Sequence, residues 1–242
     1  MPTPFSEYVL YCDNHLLVVC KPAGMPSQRD RTGDPDLLTA GKGYLKEKFD
    51  KPGRVFLGLA HRLDRPASGV MVLARTSKAA SRLGRQFLDR DVEKQYVALV
   101  EGSVVGQGTT EAGYLKKSER GVVAASRGEE GAQYAELDWE KVKETARGTI
   151  VNVRLKTGRK HQIRHQLARI GHPIVGDMRY GATREFDGRN LALHCYLLTI
   201  DHPTLGHAMS WQALPPLSWG SEREDFREWV DRGANPGEWG GM

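Results

Sequence analysis

The chain has 242 residues, of which 39% are hydrophobic and 27% charged, and its formal net charge is +5. This length predicts a single domain over residues 1–242, built either as one large body or as two tightly joined halves, because one hydrophobic core stops growing at about 250–300 residues. No apolar run reaches the about 20 residues that span a bilayer, and the N-terminus lacks the pattern of a signal peptide, so we expect a cytoplasmic protein without a membrane segment.

The first part of the chain combines short apolar runs with two helical patterns. The predicted strands are residues 8–11, 16–20, 55–59, 70–74 and 95–100, and the predicted helices are residues 37–49 and a segment that starts with Ser77 as its N-cap. The polar stretch 28–36 is predicted to be a loop. Pro66 and Gly69 interrupt the apolar pattern, so Asp64 is expected to lie in a loop between two strands.

The second part of the chain contains more strand patterns than helical ones. Residues 102–131 are rich in Gly, Ser and charge, which is typical of a mobile hairpin region. The elements predicted after it are strands at 134–142, 149–155, 191–200 and 207–214, a helix at 161–170, and a last helix opened by a capping box of Ser221 and Glu224. Arg147 and Gly148 are expected in the turn between the first two strands. Many strands with few helices predict an α+β fold on a mostly antiparallel sheet.

Basic residues are concentrated in two parts of the chain. Residues 151–190 contain nine Lys or Arg against three Asp or Glu, and residues 61–94 contain eight against four. From residue 201 to the end the balance reverses to three against seven. Two basic blocks indicate a positive surface that binds a polyanion such as nucleic acid, although solvated helix faces are an alternative.

The segment His61-Arg62-Leu63-Asp64-Arg65 places one acidic side chain between two arginines on a predicted loop. The guanidinium groups favour the ionised form of Asp64. An ionised carboxylate in a defined position can act as a nucleophile or a base. The residues alone also allow a structural loop in which Asp64 only binds Arg62 or Arg65.

A second group of candidate residues lies where a strand ends and a helix begins, at residues 156–165. Unpaired backbone amides at a helix N-terminus, together with Arg159 and Lys160, predict a phosphate site. Arg164 lies one turn into the helix, where it can reach a carboxylate such as Asp64. A helix with a basic, solvated face is the structural alternative.

His161 and His165 are four residues apart on this helix, which is the spacing of a zinc-binding HExxH pair. Position 162 is Gln, so the general base of that motif is missing, and the spacing suggests no third ligand. The three cysteines are too scattered for a metal site or a disulfide framework. We therefore predict no metal, with both histidines on the surface or facing RNA.

Alternation along the strand at 95–100 places Tyr96 on the same face as Ala98 and Val100. A tyrosine at the end of such a strand can stack on a base that has left its helix. An ordinary core tyrosine is the alternative, and the strand pattern alone favours it.

Six segments between Tyr8 and Trp211 occur in an order that one protein family shares. They are Lys21-Pro22-Ala23-Gly24-Met25, His61-Arg62-Leu63-Asp64-Arg65 with Ser68-Gly69, the alternation from Lys94 to Gly102, Thr157-Gly158-Arg159 with His161-Gln162-Ile163-Arg164, Gly171-His172-Pro173-Ile174-Val175-Gly176-Asp177, and Leu191-Ala192-Leu193-His194. With these segments the chain resembles the RluA-type family of RNA pseudouridine synthases. One such segment is weak support, whereas six in order are specific.

The resemblance implies a mainly antiparallel mixed sheet in two halves, flanked by helices, with a catalytic cleft between the halves. It implies that Asp64 is the catalytic aspartate, Tyr96 the active-site tyrosine and Arg164 the arginine that pairs with the aspartate. The residues expected to bind RNA are Arg62, Arg65, Arg159, Lys160 and His161. Arg62 is expected to occupy the space that the target base leaves. Many members carry an S4-type RNA-binding domain before the catalytic domain, and we expect it to be absent here.

The implied reaction breaks the N1–C1′ bond of a uridine in structured rRNA or tRNA, turns the uracil and joins C5 to C1′, without metal or cofactor. A hydrolase that uses Asp64 is one rival, although most glycosidases need two carboxylates. An RNA-binding module without activity is another, and intact Asp64, Tyr96 and Arg164 argue against it. The sequence does not identify the RNA or the uridine, and we expect a monomer.

Overall fold

The computed structural model describes residues 3–105, 107–109, 112–119 and 121–233. The chain folds into two compact units. Unit 1 consists of Met1–Lys94 and Cys195–Ala213, and unit 2 consists of Gln95–His194 and Leu214–Met242. Antiparallel strands dominate both units and a few helices accompany them, so the predicted α+β class is confirmed. The single domain predicted from the length stays a prediction.

The elements are numbered in chain order. The strands are β1 Val9–Cys12, β2 Leu16–Lys21, β3 Gly58–Leu59, β4 Ser68–Ala74, β5 Glu93–Val100, β6 Gln107–Thr109, β7 Gly113–Ser118, β8 Gly121–Ala125, β9 Gln133–Ala135, β10 Leu137–Thr145, β11 Gly148–Leu155, β12 Leu193–Asp201 and β13 Ala208–Gln212. The helices are α1 Leu37–Lys48, α2 Ser77–Asp89, α3 Gln162–Arg169 and α4 Ser221–Asp231, with short 3₁₀ helices at Phe5–Tyr8, Met178–Tyr180 and Leu217–Trp219. Among the described residues, no helix is both long and apolar enough to cross a membrane.

The sheet of unit 1 has the strand order β1–β2–β4–β12, with β3 beside β4 and β13 beside β12. β2 pairs antiparallel with β4 along the whole length of β2, from Leu16 opposite Ala74 to Lys21 opposite Gly69. Their apolar side chains form a buried core with Leu83 of α2. At Gly69, where φ is +129°, a Cβ atom would lie 2.3 Å from the carbonyl oxygen of Cys195. Only glycine therefore allows β4 to start so close to β12.

Unit 2 contains two groups of strands. One is the antiparallel series β5–β11–β10–β6, and the other is a separate three-stranded sheet with the order β8–β7–β9. Leu115, Val122 and Ala135 form the small core of the three-stranded sheet. The region 102–131 therefore contains the hairpin of β7 and β8 that its composition suggested. Residues 106, 110, 111 and 120 of that region lie outside the described residues.

Both predicted helix caps are wrong by one residue. α2 is capped by Thr76, whose hydroxyl oxygen accepts a hydrogen bond from the Ala79 N–H at 3.1 Å, and Ser77 is already helical. α4 begins at Ser221 after Gly220, and no side chain caps it. The capping box of Ser221 with Glu224 is therefore not formed. In both helices the residue before the serine has the non-helical backbone that an N-cap requires.

Two predicted strands have different bounds. Of residues 55–59, only Gly58–Leu59 is a strand. It pairs with Ala74 and Leu73 alone, because β12 also pairs along that edge of β4. The run 134–142 is divided, because β9 pairs with β7 whereas β10 pairs with β11. Gly148 pairs with Thr145 as the first residue of β11, so the turn consists of residues 146–147. The remaining predicted strands and helices are confirmed to within a few residues.

Candidate active site

Asp64 lies in unit 1, on residues 60–67 between β3 and β4, here called the Asp64 loop. The Ser27 hydroxyl donates a hydrogen bond to the Leu63 carbonyl oxygen at 2.8 Å. The Gly24 N–H donates to the Arg65 carbonyl oxygen at 2.9 Å, and the Ala67 N–H donates to the Asp64 carbonyl oxygen at 3.1 Å. The backbone of the loop is therefore bound on both sides of the Asp64 carboxylate.

Lys21, the last residue of β2, is completely buried and also binds the backbone of the Asp64 loop. Its ammonium group donates to the carbonyl oxygens of Pro22, Met25, Arg65 and Ala67, at 2.9, 2.9, 3.3 and 2.6 Å. Burial lowers the pKa of Lys21 to about 7, and the nearby negative charge of Asp64 opposes this shift. Lys21 therefore joins the Lys-Pro-Ala-Gly segment to the Asp64 loop through backbone oxygens.

His61 attaches the start of the Asp64 loop to β4. Its Nε2 accepts a hydrogen bond from the Val72 N–H at 3.0 Å, and its ring stacks on Phe87 of α2 with a centroid distance of 4.5 Å. Burial lowers the pKa of His61 to about 3, and the positive charge of Lys94 adds to the shift. A neutral ring that accepts at Nε2 must carry its proton on Nδ1.

The two arginines beside Asp64 have different surroundings. Arg62 is exposed and has no hydrogen bond or ion pair with another described residue. Arg65 forms ion pairs with Asp30 and Asp34, and it donates to the Thr32 hydroxyl at 2.9 Å. Its side chain therefore fixes residues 30–34, and the expectation that Arg65 also contacts RNA stays a prediction.

Tyr96 lies on β5 of unit 2, opposite Val153 of β11, and is 7% exposed. Ala98 and Val100, which alternation places on the same face, are also buried. The predicted strand and its face are confirmed, whereas the stacking role of Tyr96 stays a prediction.

Arg164 lies on α3 and is oriented by Asp177. The Nε and one terminal nitrogen of the guanidinium donate to the two carboxylate oxygens of Asp177, at 2.6 and 2.8 Å. The side chains of Arg164 and Asp177 are only 6% and 1% exposed. A two-pronged pair of this kind fixes the position of the guanidinium and the direction of its Nε edge.

Residues 156–161, which connect β11 to α3, form the positively charged turn expected from the sequence, here called the basic turn. The Gln162 side chain stabilises it, because its Oε1 accepts from the Thr157 hydroxyl at 2.7 Å and from the Arg159 N–H at 3.0 Å. Lys160 is exposed. His161 precedes the helix with φ +50° and does not cap it. The phosphate site expected here stays a prediction. No cluster of three or more potential metal ligands occurs among the described residues.

The structure groups the predicted site residues within each unit. In unit 1, Arg62, Asp64 and Arg65 share one loop, and in unit 2 the basic residues 159–161 and Arg164 share the start of α3. Lys21 and Asp177 lie within the sequence motifs, but the motifs alone predicted no role for either residue. Asp177 is one of three acidic residues in the basic block 151–190, which is a signal for an arginine partner.

Tyr180, which contacts Arg164, His161 and β8, was missed completely. Tyr180 lies on the short 3₁₀ helix after Asp177, and no sequence pattern there predicts these contacts.

Comparisons with known proteins agree with one another. Residues 15–169 match the family described as RNA pseudouridylate synthase. The chain is 30% identical over 236 residues to tRNA pseudouridine synthase C of Yersinia pestis, covering 90% of each chain. It is 33% identical over 231 residues to ribosomal large subunit pseudouridine synthase D of Pseudomonas aeruginosa, covering 86% of this chain and 68% of the relative.

Solved structures show the same similarity. Human RNA pseudouridylate synthase domain containing 4 superposes with a TM-score of 0.75 at 23% identity, over 92% of this chain and 94% of its own, which supports the fold. Human RNA pseudouridylate synthase domain containing 1 superposes with a TM-score of 0.67 at 26% identity, over 86% of this chain and 83% of its own.

Proposed function

Since the chain belongs to the RNA pseudouridylate synthase family and is an RNA pseudouridine synthase, we propose that Asp64 is its catalytic carboxylate and that it acts on a uridine in folded rRNA or tRNA. Relatives named for tRNA and for the large ribosomal subunit match it with similar identity, 30% and 33%. This similarity supports both classes of RNA.

The observation that carries the proposal is the way in which the Asp64 loop is held. Ser27, Gly24 and Lys21 bind the carbonyl oxygens of Leu63, Arg65 and Ala67. These contacts use the peptide groups around Asp64 and do not involve its carboxylate. A reacting carboxylate must be held in this way, because misplacement by about 1 Å can lower a rate about 100-fold.

The reaction begins when the target uridine leaves its stack, which costs a few kcal/mol. In our proposal the base stacks on Tyr96, and such stacking contributes about 1–3 kcal/mol. Arg62, whose guanidinium is exposed, occupies the space that the base leaves. Both contacts compensate for the unstacking.

Asp64 then acts on the sugar in one of two ways. In one route it attacks C1′ and is displaced from that carbon when C5 bonds there. In the other it removes the C2′ proton to give a glycal and returns a proton to C2′ when C5 bonds to C1′. In both routes the N1–C1′ bond breaks, the uracil turns, and C5 bonds to C1′. The C5 hydrogen then leaves as a proton and N1 gains one, so the composition of the nucleotide does not change. Water must be excluded from the cleaved state, since otherwise uracil would be released.

The proposed role of Arg164 is to pair with the Asp64 carboxylate and aim it. Asp177 binds the Nε edge of the guanidinium, so a second carboxylate would use the other terminal nitrogen. Arg159, Lys160 and His161 bind phosphates at the start of α3, and Arg65 contributes to the same positive surface. Affinity for RNA should then fall as salt rises. We further propose a monomer that works in the cytoplasm.

The experiment is pseudouridine mapping across all RNAs of a deletion strain that carries wild-type protein, Asp64→Asn or Asp89→Asn. Asp89 is an exposed acid at the end of α2 and serves as the matched control. We expect specific sites to disappear on deletion and to return with wild type and Asp89→Asn only. With purified protein, Asp64→Asn should lower the rate by at least about 10⁴-fold.

Two results would contradict the proposal. Restoration of every site by Asp64→Asn would remove Asp64 from the chemistry. Release of free uracil from RNA by the purified wild-type protein would favour the hydrolase. RNA deuterated at C2′ separates the two routes, because only proton removal from C2′ produces a primary isotope effect.

A further inference from the structure

Tyr180, on the 3₁₀ helix that follows Asp177, contacts three separate parts of unit 2. Its ring lies against the Arg164 guanidinium, with Cζ of Arg164 5.1 Å from the ring centroid. Its hydroxyl lies 3.0 Å from the Val122 nitrogen of β8 and 3.0 Å from Nδ1 of His161. One side chain therefore joins the hairpin of β7 and β8, the basic turn and the active-site arginine.

The ring of Tyr180 and the carboxylate of Asp177 hold Arg164 in complementary ways. Asp177 binds the edge of the guanidinium, whereas the aromatic ring attracts its positive face. Edge binding alone leaves rotation about the axis between the two charged groups. Contact with the ring restricts that rotation, so the plane of the guanidinium is set by both residues.

The hydroxyl of Tyr180 makes a directed chain of hydrogen bonds. It accepts from the Val122 N–H, so its own proton is available to Nδ1 of His161. Burial raises the pKa of Tyr180, which keeps this proton in place. Gly121 permits the approach, because a Cβ atom there would lie 2.5 Å from the hydroxyl, and its φ is +143°.

From these contacts we propose that Tyr180 is a positioning residue for the pseudouridine reaction. Its ring holds Arg164 in the reactive orientation, and its hydroxyl makes the hairpin and His161 move together with that arginine. Binding of RNA at the start of α3 is thereby coupled to the geometry of Arg164. The inference rests on the proposed catalytic role of Arg164.

The competing explanation is that Tyr180 only completes the small core of the three-stranded sheet, since it packs against Leu115, Val122 and Ala135. A residue with that role would affect the unfolding midpoint alone. The split between KM and kcat, and the coupling to Arg164, distinguish the two explanations.

The test uses Tyr180→Phe, Tyr180→Leu, Arg164→Lys and the double variant Tyr180→Leu with Arg164→Lys, with steady-state kinetics on a substrate RNA. Tyr180→Phe keeps the ring and loses the hydroxyl contacts, so we expect KM to rise about 5- to 10-fold with kcat nearly unchanged. Tyr180→Leu removes the ring, so kcat should fall about 10- to 100-fold. The double variant should have a kcat within about threefold of that of Arg164→Lys alone.

Tyr134→Phe is the matched control, because it removes a phenolic hydroxyl from β9 of the same three-stranded sheet. That hydroxyl donates a hydrogen bond to the Glu136 carboxylate at 2.6 Å. Its KM and kcat should stay within about twofold of wild type. If it raises KM as much as Tyr180→Phe, the effect belongs to the three-stranded sheet in general and the proposal is wrong.

Other outcomes also overturn the inference. A double variant in which the losses of kcat multiply would show that Tyr180 acts independently of Arg164. An unchanged KM in Tyr180→Phe, which keeps the packing, would remove the role of the hydroxyl even if Tyr180→Leu does not fold. Wild-type kcat in Arg164→Lys would instead refute the proposed role of Arg164 itself, and the inference with it.

Discussion

The Asp64 loop of unit 1 and the Arg164 site of unit 2 are held in opposite ways. The loop is bound through its peptide groups, by Lys21, Ser27 and Gly24. Arg164 is bound through its charged side chain, by the carboxylate of Asp177 and the ring of Tyr180. In the first region the contacts bind the backbone on both sides of the Asp64 carboxylate, and in the second they bind the Arg164 guanidinium itself.

The difference has consequences for substitution. Backbone anchoring distributes the support over several carbonyl oxygens, so the loss of one donor leaves the others in place. Side-chain anchoring places the support on one buried guanidinium, and the loss of Asp177 removes two charged hydrogen bonds from it at once. We therefore expect unit 2 to be more sensitive to a single substitution than unit 1.

The largest effect should come from Asp177→Ala. Removing the carboxylate takes both charged hydrogen bonds of Asp177 from the buried guanidinium of Arg164, so the free energy of unfolding should fall by about 3–5 kcal/mol. Urea denaturation followed by circular dichroism measures this loss. Glu185→Ala, at an exposed acid of the same segment, is the control and should change stability by less than about 0.5 kcal/mol. A loss for Asp177→Ala as small as that of the control would refute side-chain anchoring.

Lys21→Met should have the next largest effect. The substitution removes the ammonium group and leaves neutral carbonyl oxygens without their donor, so we expect a loss of about 2–3 kcal/mol in unfolding free energy. Because the Asp64 loop is then held less firmly, kcat should also fall about 10- to 100-fold. Lys46→Met, on the exposed face of α1, controls for the loss of a lysine. Unchanged kcat with reduced stability would show that Lys21 does not position Asp64.

The pH dependence of the first region should be visible at His61. Above pH 6.5 the ring is neutral in both states. Below it the unfolded chain binds a proton at His61, whereas the folded chain does so only near its pKa of about 3. The free energy of unfolding therefore falls as pH falls through this window, by about 2 kcal/mol at pH 5.

His61→Gln provides the comparison for this effect, because an amide oxygen can accept from the Val72 N–H and does not titrate. Wild type should lose stability relative to His61→Gln between pH 7 and pH 5, measured by denaturant unfolding at each pH. Parallel curves for the two proteins would mean that His61 does not remain neutral in the folded state.

The two regions also differ in how far the sequence predicts them. Asp64 and Arg164 were recognised from motifs, and α3 from its apolar spacing at Ile163 and Leu167. The anchors of the Asp64 loop were not, because every residue has a carbonyl oxygen and only the folded chain determines which ones Lys21 reaches.

The errors in the fold have a similar cause. The caps of α2 and α4 depend on the backbone angles of Thr76 and Gly220 rather than on the nearest serine. The short strand β3 depends on how much of the edge of β4 is available, which is a tertiary property. Local patterns predicted which elements form, whereas distances between elements determined their ends and the contacts of the site.

The smallest effect is expected from Arg65→Gln, which separates the two kinds of anchoring within one residue. The carbonyl oxygen of Arg65 accepts from Lys21 and Gly24, whereas its guanidinium forms exposed ion pairs with Asp30 and Asp34. The substitution removes these ion pairs together with the guanidinium hydrogen bonds to the Thr32 hydroxyl and the Gly24 carbonyl oxygen. The loss of unfolding free energy should be smaller than that of Lys21→Met, and the part due to the ion pairs should shrink in 1 M salt. Glutamine keeps the carbonyl oxygen, and the loop should keep its support. A loss as large as that of Lys21→Met would mean that the side chain of Arg65, and not its backbone, holds the loop, and unit 1 would then resemble unit 2.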